Sequence, residues 1–136
     1  MSGSTGRRVL LAVAFVTGAC RAAVAQEGIH WREDLAQAQA EAAKEHKPLV
    51  VVFVAGWCSA CAAFEKDALV SPRVAAFADR FVWVKLDVER NVSLVRANEI
   101  RATPRTDLRD RDGKTLVRIS GALPAQEFGA YLERFL

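Results

Sequence analysis

The sequence predicts an α/β protein in which a mixed four-stranded central sheet is flanked by helices on both faces. Three observations predict it. Residues 49–54 read Leu-Val-Val-Val-Phe-Val, an apolar and mostly β-branched run without alternation, which is the pattern of a central strand buried on both sides. Helix-like and strand-like segments alternate around that run. The dipeptide Asp112-Gly113 joins the last two strand-like segments, and a turn that tight makes them antiparallel.

Taken in order, residues 31–46 carry Leu35, Ala38 and Ala42 at three- and four-residue spacing with charges between them, the periodicity of an amphipathic helix. Lys47-Pro48 ends it, because a residue before proline is pushed out of helical geometry. The 49–54 strand follows, then the short loop Ala55-Gly56-Trp57 and a second helix from Cys58 to about residue 69. Ser71-Pro72 is a helix start, with serine as cap and proline in the first turn, and that third helix covers residues 74–80. Residues 81–87 form a second strand. Ser93 caps a short helix reaching Glu99, Thr103-Pro104 interrupts, and residues 106–109 and 115–119 form the hairpin. Pro124 opens a last helix with Phe128, Leu132 and Phe135 on one face. Helical crossovers make the first strands parallel.

A chain of 136 residues suffices for one domain around one core. Half of the residues are apolar (51%) and 26% are charged, which excludes a disordered or low-complexity chain. The net charge of +3 comes from the N-terminal segment: residues 1–25 hold Arg7, Arg8 and Arg21 and no acid, so the remaining 16 basic residues balance 16 acidic ones. No basic surface for nucleic acid is expected.

That same segment reads as an export signal. Arg7-Arg8 is a positive n-region, residues 9–19 are an apolar stretch too short to span a bilayer comfortably, and Ala23-Val24-Ala25 fits the small-x-small cleavage rule. Residues 1–25 are therefore expected to be a signal peptide and residues 26–136 the mature domain. An uncleaved anchor is the alternative. Arg7-Arg8-Val9-Leu10 weakly resembles a twin-arginine signal. Thr17-Gly18-Ala19-Cys20 weakly resembles a lipoprotein cleavage box, without the usual leucine three residues before the cysteine. Lipid attachment at Cys20 and removal of Cys20 with the leader both stay open.

Without Cys20, two cysteines remain, Cys58 and Cys61. A small exported domain stapled by disulfides would use more cysteines at wider spacing, so a redox role is expected. A first cysteine at a helix start meets unpaired N–H groups and a partial positive charge, both of which favour a thiolate. Cys58 is therefore the expected nucleophile. Cys61 lies one turn later and is placed to resolve a mixed disulfide, while Trp57 shields one side of the pair. A structural disulfide and half of a zinc site are the bland alternatives; zinc usually wants four ligands, and His30 and His46, the only histidines, have no metal-ligand spacing. No metal and no organic cofactor are expected, since the cysteine pair itself carries the electrons. No phosphate loop or serine–histidine triad is present.

The segment from Lys47-Pro48 through Trp57-Cys58-Ser59-Ala60-Cys61 resembles the active-site strand, loop and helix of the thioredoxin superfamily. Its continuation through Phe64-Glu65-Lys66 and Ser71-Pro72-Arg73-Val74 is similar to the C-terminal thioredoxin-like domain of the thiol:disulfide interchange protein DsbD and to small exported relatives. The likeness runs from about residue 31 to the end. It implies a thioredoxin fold, a protein-disulfide reductase acting on protein thiols and disulfides, a membrane electron donor of the DsbD type, a periplasmic location and a monomer. It also implies that Pro104 is a cis-proline facing the cysteines and that the Thr103 backbone pairs with an extended substrate. Glu65, seven residues after Cys58, and Lys85 at a strand end match residues that tune the pair in the family; each is otherwise a solvated surface charge.

Two departures stand out. The family's buried acid six residues before the first cysteine is Val52 here. Residues 105–111 read Arg-Thr-Asp-Leu-Arg-Asp-Arg where the family is apolar. A buried Asp107 would be costly unless paired with a neighbouring arginine, which leaves an irregular segment, a solvated face or a docking surface open as alternatives to a regular buried strand here. Direction stays open as well: Ser59-Ala60 matches neither reducing nor oxidising relatives, leaving an oxidase or isomerase, and a binding or chaperone module with a structural disulfide, as alternatives.

Overall fold

The computed structural model describes residues 28–136; the expected leader over residues 1–25 and Cys20 lie outside them. The order of elements is β1 (Trp31–Arg32), α1 (Leu35–Glu45), β2 (Leu49–Val54), α2 (Ser59–Phe64) with a π-helical continuation (Glu65–Leu69), α3 (Pro72–Ala75), β3 (Val82–Asp87), α4 (Val92–Ala97), β4 (Arg105–Arg109), β5 (Thr115–Ser120) and α5 (Ala125–Phe135). The sheet runs β1-β3-β2-β4-β5. β1 and β2 are parallel to β3, while β4 is antiparallel to both β2 and β5. This is the expected mixed sheet between helices, with five strands rather than four.

The extra strand is β1. Its two residues were expected to begin the first helix, but that helix starts only after Asp34, an extended residue whose side chain accepts from the Gln37 N–H. Ahead of this cap the chain is extended, and Trp31 packs edge-on against Trp83 with ring centroids 5.6 Å apart. A two-residue edge strand is too short to show alternation. Smaller corrections follow the same logic of caps. α3 is shorter than expected and passes into turns after Ala75. α4 begins after Asn91, so Ser93 lies inside the helix instead of capping it.

β2 is buried as its composition requires: Leu49, Val50, Val51, Val52 and Phe53 have no exposed surface. On one face Val50 and Val52 join Trp83, Leu108 and Ile119 under Phe64, Leu69, Val74, Phe128 and Leu132 from α2, its continuation, α3 and α5. On the other, Leu35, Ala38 and Ala42 of α1 cover Leu49, Val51, Phe53, Val82, Val84 and Leu86. The two layers hold β2 rigidly, and the segment that follows it inherits that placement.

The strand expected at residues 106–109 is β4, which starts one residue earlier. Its charged run is neither irregular nor a solvated or docking face: it lies between β2 and β5 with all five residues buried. In register with Leu49, Val51 and Phe53 stand Arg109, Asp107 and Arg105. Asp107 is fully buried and is bound by Arg105 Nε at 2.9 Å and Arg109 at 3.3 Å. The pairing that makes a buried carboxylate tolerable is supplied by residues two before and two after it on the same strand face.

Candidate active site

β2 ends at Val54, and the chain turns through Ala55-Gly56-Trp57 into α2. The turn closes with Cys58 N–H donating to Ala55 O at 3.2 Å. Cys58 is the N-cap of α2, extended at φ −88° and ψ 104°, and its Sγ accepts the Cys61 N–H at 3.1 Å. A sulfur thus occupies the capping position that serine or aspartate usually fills. The two cysteines form a disulfide with Cα atoms 5.2 Å apart. Both are mostly buried (8% and 2% exposed) in a small cluster with Ala55, backed by Val54 and Val88.

The Thr103–Pro104 peptide bond is cis, and Thr103 O lies 3.5 Å from Cys58 Sγ. Pro104 O accepts from Gly121 N–H at 2.9 Å, which ties the loop to the end of β5. Trp57 is 72% exposed beside the pair. Its Nε1–H donates to Glu89 Oε1 at 3.0 Å, and the Glu89 N–H in turn donates to Asp87 Oδ1 at 2.8 Å. Glu89 was not singled out in the sequence; it lies 32 residues from its partner, and no local pattern signals the contact.

Glu65 and Lys85 meet. Lys85 Nζ lies 3.0 Å from Glu65 Oε1 and 5.0 Å above the Trp31 ring. Both line a cavity of about 320 Å³ with Glu33, Val54, Asp87 and Arg90. Val54 also backs the cysteine cluster, so this charged cavity begins one side chain behind the disulfide. Lys85 pairs in register with Val52, and Val52 with Thr106. The row in which the family carries its buried acid therefore ends here in the Lys85–Glu65 pair.

The structure brings Trp57, Cys58, Cys61, Thr103 and Pro104 to one end of the sheet, with Glu65 and Lys85 behind them. Among the described residues no group of three or more His, Cys, Asp or Glu is placed to hold a metal ion, and no helix is long and apolar enough to cross a membrane.

A family model described as a thioredoxin-like domain matches residues 35–136. The chain belongs to this family. Over 108 residues it is 34% identical to the thiol:disulfide interchange protein DsbD of Vibrio vulnificus, an alignment covering 75% of this chain and 18% of that protein. The chain thus spans about a fifth of the length of this relative. Among solved structures, a thioredoxin from Thermus thermophilus superposes with a TM-score of 0.71 at 22% identity over 80% of this chain and 88% of the other. A disulphide isomerase from Xylella fastidiosa Temecula1 does so with a TM-score of 0.63 at 29% identity, over 74% and 86%. The thioredoxin fold, and membership of a family of thiol–disulfide oxidoreductases that use a cysteine pair without a cofactor, follow from these matches.

Proposed function

We propose that this chain is an exported protein-disulfide reductase that works by dithiol–disulfide exchange through Cys58 and Cys61. The observation that carries the reading is the Cys58–Cys61 pair at the start of α2, facing the Thr103–Pro104 loop. In the reduced state the Cys58 thiolate attacks one sulfur of a partner disulfide; a Cys58–partner bond forms as the partner S–S bond breaks, and the second partner sulfur leaves as a thiolate. Cys61 then loses its proton and attacks Cys58 Sγ. The intramolecular disulfide forms, and the partner departs with two thiols. Two electrons pass from the pair to the partner, and the cysteine protons follow.

The Cys61 proton needs an acceptor, and Val52 offers none. We assign that role to Glu65, which Lys85 holds at the cavity behind Val54. Trp57 and the Thr103 backbone receive the partner chain. Export to a periplasm, through the signal at residues 1–25, is part of the same reading, and a membrane donor of the DsbD type would supply the electrons. Lipid attachment at Cys20 is the form in which the domain would stay at the membrane.

Isomerisation is the second reading, favoured by the 29% identity to the disulphide isomerase of Xylella fastidiosa. The equilibrium reduction potential of Cys58–Cys61 in residues 26–136 separates the directions. A value near that of thioredoxin, about −270 mV, is expected; one near about −120 mV would mark an oxidant and overturn the reductive direction.

A further inference from the structure

The buried charges of β4 lie beside the loop that faces Cys58. Arg105 follows Pro104 directly. Its guanidinium binds both Asp107 oxygens, Nε to Oδ1 at 2.9 Å and the second amino group to Oδ2 at 3.2 Å. Its remaining amino group donates to Asn98 O at 2.9 Å and Glu99 O at 3.3 Å. Those carbonyls follow the last turn of α4, where Glu99 sits in the left-handed region at φ 53° and Ile100 N–H reaches back to Val95 O. Arg109 adds a bond to Asn98 Oδ1 at 2.8 Å and one to Asp107. Asn98 Nδ2 returns to Leu94 O at 2.8 Å.

One side chain therefore grips both ends of the same loop. The Arg105 backbone is fixed in the sheet at the loop's exit, and its guanidinium holds the loop's entry at residues 98 and 99. Between them run residues 100–104, including the Thr103 carbonyl that meets Cys58. Hydrophobic side chains could fill this space at least as favourably, because desolvating three charges can cost more than their attraction returns. What hydrophobic contacts lack is direction: a planar guanidinium binding a carboxylate two ways and two carbonyls at once fixes an orientation. Among the described residues the Asp107 side chain bonds only to these two arginines, so it acts by holding them.

We propose that Arg105, Asp107 and Arg109 form a positioning clamp that sets the Thr103–Pro104 loop against Cys58 and so shapes the groove where a partner's extended chain would lie. In its effect on exchange this rests on the reductase reading; in its effect on the loop it does not. The test compares the wild-type domain with the charge-free variant Arg105→Leu/Asp107→Leu/Arg109→Met. Amide hydrogen exchange at Ile100, whose N–H is bound to Val95 O at the loop's entry, should quicken by about tenfold or more while β2 and β3 keep their protection. With a peptide carrying one disulfide as substrate, KM should rise by roughly ten- to a hundredfold, the scale of a small misplacement, at unchanged kcat. Reaction with dithiothreitol should be unaltered. Unchanged loop protection would overturn the clamp, as would equal loss of reaction with dithiothreitol and peptide. If the wild type fails to reduce the peptide, the reductase reading falls and hydrogen exchange alone still decides the clamp. Should the triple variant not fold, Arg105→Lys, which keeps the charge but not the fork, is read in the same way and is expected to quicken exchange at Ile100.

Discussion

Glu65 shows how one side chain can take over a task from another place in the fold. At position 52 the sheet offers only a fully buried valine, which neither accepts nor donates a proton. Glu65 reaches the same region from the helix, fixed by Lys85 at 3.0 Å and bordering a cavity that Val54 separates from the cysteines. If Glu65 is the acceptor for Cys61, Glu65→Gln should slow resolution of the mixed disulfide by at least about a hundredfold, the low end of what a positioned base contributes. Attack by Cys58 should keep its rate. Stopped-flow measurement of the two phases checks this, and equal rates for both proteins would remove Glu65 from the mechanism. The cysteines themselves, Trp57 and the proline were legible in the sequence because they are neighbours in it or stand at a break. Glu89 and Asn98 were not, since each acts on a residue brought near only by folding.

At the level of elements, α2 and its π-helical continuation are held from below by α5. Phe64 of α2 meets Phe128 of α5 edge-on, with centroids 5.3 Å apart, and Phe128 and Leu132 are fully buried. Phe128→Ala should therefore cost about 3–5 kcal/mol in stability, read from urea denaturation, and should loosen the helix that carries both cysteines. A cost below about 1 kcal/mol would mean that α2 is held by other contacts. Elements with a strong apolar signal were read correctly from the residues: the unbroken run of β2, the α1 face of Leu35, Ala38 and Ala42, and the α5 face of Phe128 and Leu132. The misreadings have physical reasons. β1 is too short to alternate, and the cap of α4 falls on Asn91, whose side chain turns away to donate to Asp87 O. β4 was expected as a strand from residue 106; what hydrophobic pattern could not decide was its burial, which rests on one carboxylate, Asp107, pairing two arginines within one strand face.

Across the whole molecule, two apolar layers fix β2, β2 fixes the start of α2, and a polar clamp on β4 fixes the loop opposite. Rigid sheet elements thus hold both walls of the candidate site, the arrangement that exchange chemistry needs for one thiol to attack and its neighbour to resolve. The most direct test is to trap that chemistry. Cys61→Ser, reduced and mixed with a disulfide-bearing peptide, should accumulate a mixed disulfide through Cys58 that dithiothreitol releases, and Cys58→Ser should accumulate none. If Cys61→Ser forms no such adduct while remaining folded, Cys58 is not a nucleophile toward partner disulfides, and the pair is a structural crosslink.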